Sequence, residues 1–181
     1  MILTGKEDLR IQKTIESIYR AFEQLLCEKN YEKISVTELC AQAKISKKTF
    51  YVYYTDLNDL LAEMQEQLSK AYAQRVSAYR LPQDAKQVIR EFFLFSAEHG
   101  EAYDKITCSE AFQYIRGQMI RNVLDETNID PFTSTLPGVF MSTALLEAYK
   151  YWVENGRKQP IEDVIATTTS LICDGLNGTL S

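Results

Sequence analysis

The chain has 181 residues, 45% of them hydrophobic and 25% charged, with 20 Lys+Arg against 25 Asp+Glu for a formal net charge of −5. That balance suits a globular chain with one well-buried core, or a small domain joined to a larger one. No apolar run approaches the ~18 residues a membrane span needs, and Met1–Asp8 lack the basic-then-apolar pattern of a secretory signal, so a cytoplasmic location is expected.

Helical periodicity dominates from the start. Ile11, Ile15, Ile18, Phe22, Leu25 and Leu26 recur at steps of three and four, one apolar face of a first helix. Asn30, which tolerates the left-handed conformation, is the expected C-cap. Ser35-Val36-Thr37-Glu38 has the form of a capping box opening a short second helix through Ala43. Lys44-Ile45 leaves room only for a turn, after which Ser46 is a good N-cap for a third helix to about Tyr54. Asp56 can cap a fourth, carrying Leu57, Leu60, Leu61, Met64 and Leu68 and continuing to about Tyr79.

Pro82, in Leu81-Pro82-Gln83-Asp84, breaks that pattern. Helices are then expected near 84–98, across 101–127, at about 138–155 and at about 161–175. The breaks fall at His99-Gly100, between Asp130 and Gly138, and at Asn155-Gly156. No stretch alternates with period two. The expected fold is all-α: an N-terminal three-helix helix-turn-helix domain over 1–56 and a larger helical domain over 57–181, about nine helices in total.

Charge is unevenly spread. Residues 1–60 hold nine basic and nine acidic side chains, so the remaining residues carry the whole −5. No acid lies between Glu38 and Asp56, while Lys44, Lys47 and Lys48 fall together. A cationic island on an acidic body suits a protein that touches DNA at one end.

Enzyme chemistry finds little to work with. His99 is the only histidine, and no glycine-rich phosphate loop or metal-ligand spacing is present. Cys27, Cys40, Cys108 and Cys173 are scattered and form no CxxC pair. No catalysis, cofactor or metal is expected.

The segment Ser46-Lys47-Lys48-Thr49 supplies two cations and two hydroxyls at the amino end of a helix that a major groove can admit. Tyr51, Tyr53 and Tyr54 add phenols, and Phe50 has the period of a core anchor. The run Ser35-Val36-Thr37-Glu38-Leu39-Cys40-Ala41-Gln42-Ala43-Lys44-Ile45-Ser46-Lys47-Lys48-Thr49-Phe50-Tyr51-Val52-Tyr53-Tyr54, with Phe22, Leu25, Leu26, Asn30 and Tyr31 upstream, resembles the signature of TetR-like transcriptional regulators. The resemblance covers about residues 8–62.

It implies phosphate contacts from Ser35, Ser46, Thr49, Tyr51 and Tyr53, and base-edge contacts from Thr37, Lys47, Lys48 and Tyr51. It further implies a homodimeric repressor of a palindromic operator, released by a ligand, with the larger domain dimerising and sensing. The chain departs from the family's pattern twice. Lys44 stands where glycine is common, so the turn calls for a left-handed lysine or a different path. Leu57 stands where a phosphate-binding lysine is usual, which implies one contact fewer and weaker or more salt-tolerant binding.

In the larger domain the last two helices carry Phe140, Leu145, Leu146, Tyr149, Trp152, Val153, Ile161, Val164, Ile165, Leu171, Ile172 and Leu176. A two-fold four-helix interface would bury that surface, and a wholly intramolecular core would use the same residues. Phe92, Phe95, Tyr103, Phe112 and Tyr149 are candidates to line a pocket for a small apolar or aromatic effector, although aromatic side chains at this spacing also build ordinary cores. His99 reads as a helix C-cap. Control by a protein partner, with the chain acting as a co-activator, is the alternative to a small molecule.

Overall fold

The computed structural model describes residues 9–108 and 136–180, with side chains to Gly175. Among these residues there are eight α-helices and no strand: α1 Leu9–Glu28, α2 Val36–Gln42, α3 Lys47–Tyr53, α4 Leu57–Val76, α5 Ala85–Glu98, α6 Gly100–Cys108, α7 Leu136–Glu154 and α8 Ile161–Leu180. A single 3-10 turn, Tyr31–Lys33, joins α1 to α2. None of the described helices is long and apolar enough to cross a membrane.

The chain divides into two compact units, Met1–Ala71 and Tyr72–Ser181. The dividing point falls within α4, beyond the 56/57 boundary drawn from the sequence. Leu60, Leu61 and Met64, on its first half, are buried and belong to the first unit.

In the first unit the α1 stripe is real: Ile15, Ile18, Phe22, Leu25 and Leu26 are all at most 1% exposed. They enclose a core with Leu39 of α2, Phe50 of α3 and Leu60 of α4, each fully buried. Truncating one such aromatic, Phe22 or Phe50, costs about 3–5 kcal/mol in a core of this kind.

Two local expectations differ. Asn30 does not cap α1 in a left-handed conformation. It is extended (φ −66°, ψ 146°) and precedes the 3-10 turn, because the chain continues turning through Tyr31–Lys33 instead of reversing. The capping box is half formed: the Ser35 hydroxyl accepts from the Glu38 amide at 3.2 Å, but the Glu38 carboxylate pairs with the Lys29 ammonium. A full positive charge outcompetes a backbone amide for that carboxylate.

In the second unit α5, α7 and α8 share one core of Ile89, Phe93, Met141, Leu145, Tyr149, Trp152 and Ile172, with Val88, Val164 and Ile165 at its edge. Gly100 (φ 71°) turns the chain between α5 and α6, and Gly156 (φ 71°) with Arg157 (φ 52°) ends α7. His99 is the C-cap of α5, its Nδ1 2.6 Å from the Phe95 carbonyl oxygen. The sequence left open whether an intrachain core or a two-fold interface covers the apolar residues of the last two helices. Leu145, Tyr149, Trp152, Val164, Ile165 and Ile172 lie in the intrachain core, with α5 packed against both helices, and Leu146 is buried as well. Phe140 and Leu171 remain exposed, at 58% and 73%.

Candidate nucleic-acid interface

The turn between α2 and α3 is closed by backbone hydrogen bonds. The Lys44 amide donates to the Ala41 carbonyl at 3.2 Å and the Ile45 amide to the Cys40 carbonyl at 3.0 Å, with Lys44 left-handed at φ 56°. That pair of bonds around a left-handed residue is the Schellman arrangement. It reverses the chain in the shortest distance that lets a second helix start at once. The hydroxyl of Ser17 on α1 donates to the Ala43 carbonyl at 2.8 Å, fixing the turn to the buttressing helix.

A lysine held left-handed stores roughly 1–2 kcal/mol that glycine would not. Lys44→Gly is therefore expected to raise stability by about 0.5–1 kcal/mol after the added freedom of the unfolded glycine is counted, a Tm gain of a few degrees. A thermal melt that moved down would show the strain is absent.

Ser46 caps α3, its hydroxyl accepting from the Thr49 amide at 3.0 Å and lying 2.8 Å from the Thr49 hydroxyl. Phe50 points inward and is fully buried, with Tyr54 packed on it at 5.6 Å between ring centroids. Inward Phe50 forces the opposite side of α3 into solvent. Lys47, Lys48, Tyr51 and Val52 are exposed at relative positions i, i+1, i+4 and i+5, a single helical face. Ser35, Thr37 and Ser46 are exposed as well, while Thr49 and Tyr53 are half-buried.

All eight residues nominated from the sequence thus retain solvent access. The sequence reading omitted Val52, 69% exposed on that face. Its signal was the spacing of four from Lys48. Leu57 opens α4 and is half-buried, so it offers an apolar side chain where the family pattern has a cation. The Asp59 amide donates to Asp56 at 2.9 Å, completing the cap at that point.

The aromatic candidates of the second unit come together in part. Tyr149 lies 6.2 Å from Phe92 and 6.1 Å from Tyr103, and His99 bridges Phe95 (4.3 Å) and Tyr103 (5.6 Å). Phe95 and Tyr149 are buried, whereas Phe92 and Tyr103 are partly so. Phe112 lies outside the described residues. The Tyr149 hydroxyl is engaged within the protein, 2.6 Å from Asp104 Oδ1 and 3.1 Å from the Ser96 carbonyl oxygen. Desolvation first, then the Asp104 carboxylate, push its pKa up. Arg157 completes the group, donating to Asp104 at 2.6 Å while its guanidinium sits over the Trp152 ring. The hydroxyl's one proton is committed within the protein, so a ligand that needed it as a donor would displace one of these acceptors.

A buttressed helix-turn-helix followed by further helices, with no strand among the described residues, defines a class, and solved structures place the fold. The chain has the TetR-like fold. FadR, the fatty acid degradation regulator of Bacillus halodurans, matches over 94% of this chain and 98% of its own at 15% identity, with a TM-score of 0.67. A Syntrophomonas wolfei protein assigned to the TetR family of transcriptional regulators matches over 90% and 96% at 17% identity, TM-score 0.69. DhaS, activator of a dihydroxyacetone kinase operon, matches over 91% and 96% at 16% identity, TM-score 0.53. No protein-family model and no curated protein matches the sequence.

Proposed function

We propose that this chain is a DNA-binding transcriptional regulator and not an enzyme: a homodimer that places α3 of each protomer in the major groove of a palindromic operator. The observation that carries the reading is the exposed face of Lys47, Lys48 and Tyr51 beside the Ser46 cap, on a helix anchored from behind by Phe50. On this reading Ser35, Ser46, Thr49, Tyr51 and Tyr53 bind phosphate and fix the register. Thr37, Lys47, Lys48 and Tyr51 meet base edges, where lysine suits guanine. Val52 joins them as an apolar contact for a thymine methyl.

The sign we propose is repression relieved by a small apolar or aromatic effector held among Phe92, Phe95, Tyr103, Phe112 and Tyr149 in the second unit. Such a ligand acts by favouring the population in which the two α3 helices no longer match the operator spacing. Selection of binding sequences from a random duplex pool by the full chain tests the core claim. A palindromic consensus is expected, and failure to enrich any sequence at low salt would sink it.

A second reading makes the chain a co-activator controlled by a protein partner. It draws support from DhaS, an activator on this fold, and from Leu57 in place of a phosphate-binding lysine. Its mark is a stable partner recovered with the chain together with no duplex retardation by the chain alone.

A further inference from the structure

Glu63, on α4, is a carboxylate with only 6% of its surface exposed. Its Oε1 accepts from the Tyr19 hydroxyl at 2.5 Å and from the Tyr54 hydroxyl at 3.3 Å. Tyr19 belongs to α1, and Tyr54 is the C-cap residue that follows α3. One helical turn along α4, the Gln67 amide donates to the same Tyr19 hydroxyl at 2.8 Å. One carboxylate oxygen thus joins the buttressing helix, the helix that carries it and the C-cap residue of the exposed helix. Tyr54 is itself 1% exposed and rests on Phe50, so its ring cannot move without moving the anchor of α3.

A buried carboxylate is a poor way to gain stability, since an apolar residue of the same volume packs there at no desolvation cost. What it adds is direction. Apolar contacts leave a helix free to slide and rotate by small amounts, whereas two phenols donating to one oxygen fix where both must stand. We propose that Glu63 is a positioning residue for DNA binding: through Tyr54 it sets the placement of α3, and through Tyr19 it references that placement to α1. The proposal rests on the DNA-binding reading above.

The test removes the carboxylate and both phenols together with Tyr19→Phe, Tyr54→Phe and Glu63→Leu in the full chain, so that neither phenol is left without its acceptor; the half-buried Gln67 amide, which loses the Tyr19 hydroxyl, stays in every variant. A merely structural role predicts duplex binding that follows the melting temperature. Positioning predicts a melting temperature at or above the parent's. It also predicts affinity for the selected duplex weaker by about tenfold or more, the effect of misplacing one or two base-reading side chains. The salt slope becomes shallower by about 0.9 for each phosphate that the variant no longer neutralises. Amide exchange should rise across Lys47–Tyr54 while the interior of α1 stays protected. Tyr54→Phe alone carries the same readouts in smaller measure and serves if the triple variant does not fold.

Parent-like affinity, salt slope and exchange in these variants would overturn the proposal. So would losses equal to those of Ile18→Val, a core variant outside the network. If the parent chain selects no duplex, the DNA-binding reading fails, and the exchange measurement still decides whether Glu63 places α3.

Discussion

Lys47→Ala, Lys48→Ala and Tyr51→Ala combined are expected to abolish retardation of the selected duplex while leaving the chain folded. Each side chain is exposed and none holds the core, so the stability change should stay within about 1 kcal/mol. Removing the edge-on packing of Tyr51 against Phe50, at 5.5 Å between centroids, is partly offset by the better helix propensity of alanine. Binding stands to lose far more. Three side chains worth about 1–3 kcal/mol each at bases or phosphates amount to roughly 10²–10⁴-fold or more in affinity. If the two lysines neutralise phosphates, the salt dependence should flatten by about 1.8 in log–log slope. If they read guanine instead, discrimination among sequences falls and the slope changes little, so the salt titration assigns their roles. A variant that retains parent affinity at equal salt would show that another surface holds the DNA.

Much of this was legible because the helix-turn-helix is built from local rules. Ser35 and Ser46 cap the helices they were read as capping, since the reach from a hydroxyl to an amide three residues on depends on nothing distant. Lys44 is left-handed, as its place between two short helices demands. What escaped was decided at longer range. Asn30 suits both a left-handed cap and an extended link, and Tyr31, packed on Phe22 at 6.2 Å, selects the second. Glu38 found Lys29 on the preceding helix. Glu63 reads in the sequence as one more acid on a polar helix, and its donors stand 44 and 9 positions away. The division of apolar residues between core and surface on α7 and α8 was unreadable for a related reason. On α7 the apolar residues are spread round the helix, so periodicity could not say which side α5 would cover.

That division supplies the second large prediction. With Leu145, Tyr149, Trp152 and Ile172 spent on the intrachain core, the exposed apolar residues left to a dimer through α7 and α8 are, among the described ones, Leu136, Val139, Phe140 and Tyr151 on α7 and Leu171 on α8. Phe140→Asp with Leu171→Asp is therefore expected to convert the proposed dimer to a monomer, read as a halving of mass by light scattering or sedimentation. Two-fold symmetry makes each substitution count twice, so four carboxylates would enter one interface. A buried carboxylate without a partner costs several kcal/mol, enough to weaken association by about 10³-fold or more. Helix content should survive, because both side chains already face solvent in the single chain. Melting should become independent of protein concentration, as it must once folding no longer draws on association. Operator affinity should fall with the mass, since one α3 keeps only one half-site. A double variant that kept its dimeric mass would move the interface elsewhere. A dimeric variant that had nonetheless lost DNA binding would place Phe140 or Leu171 in the control of the recognition helices and not in assembly.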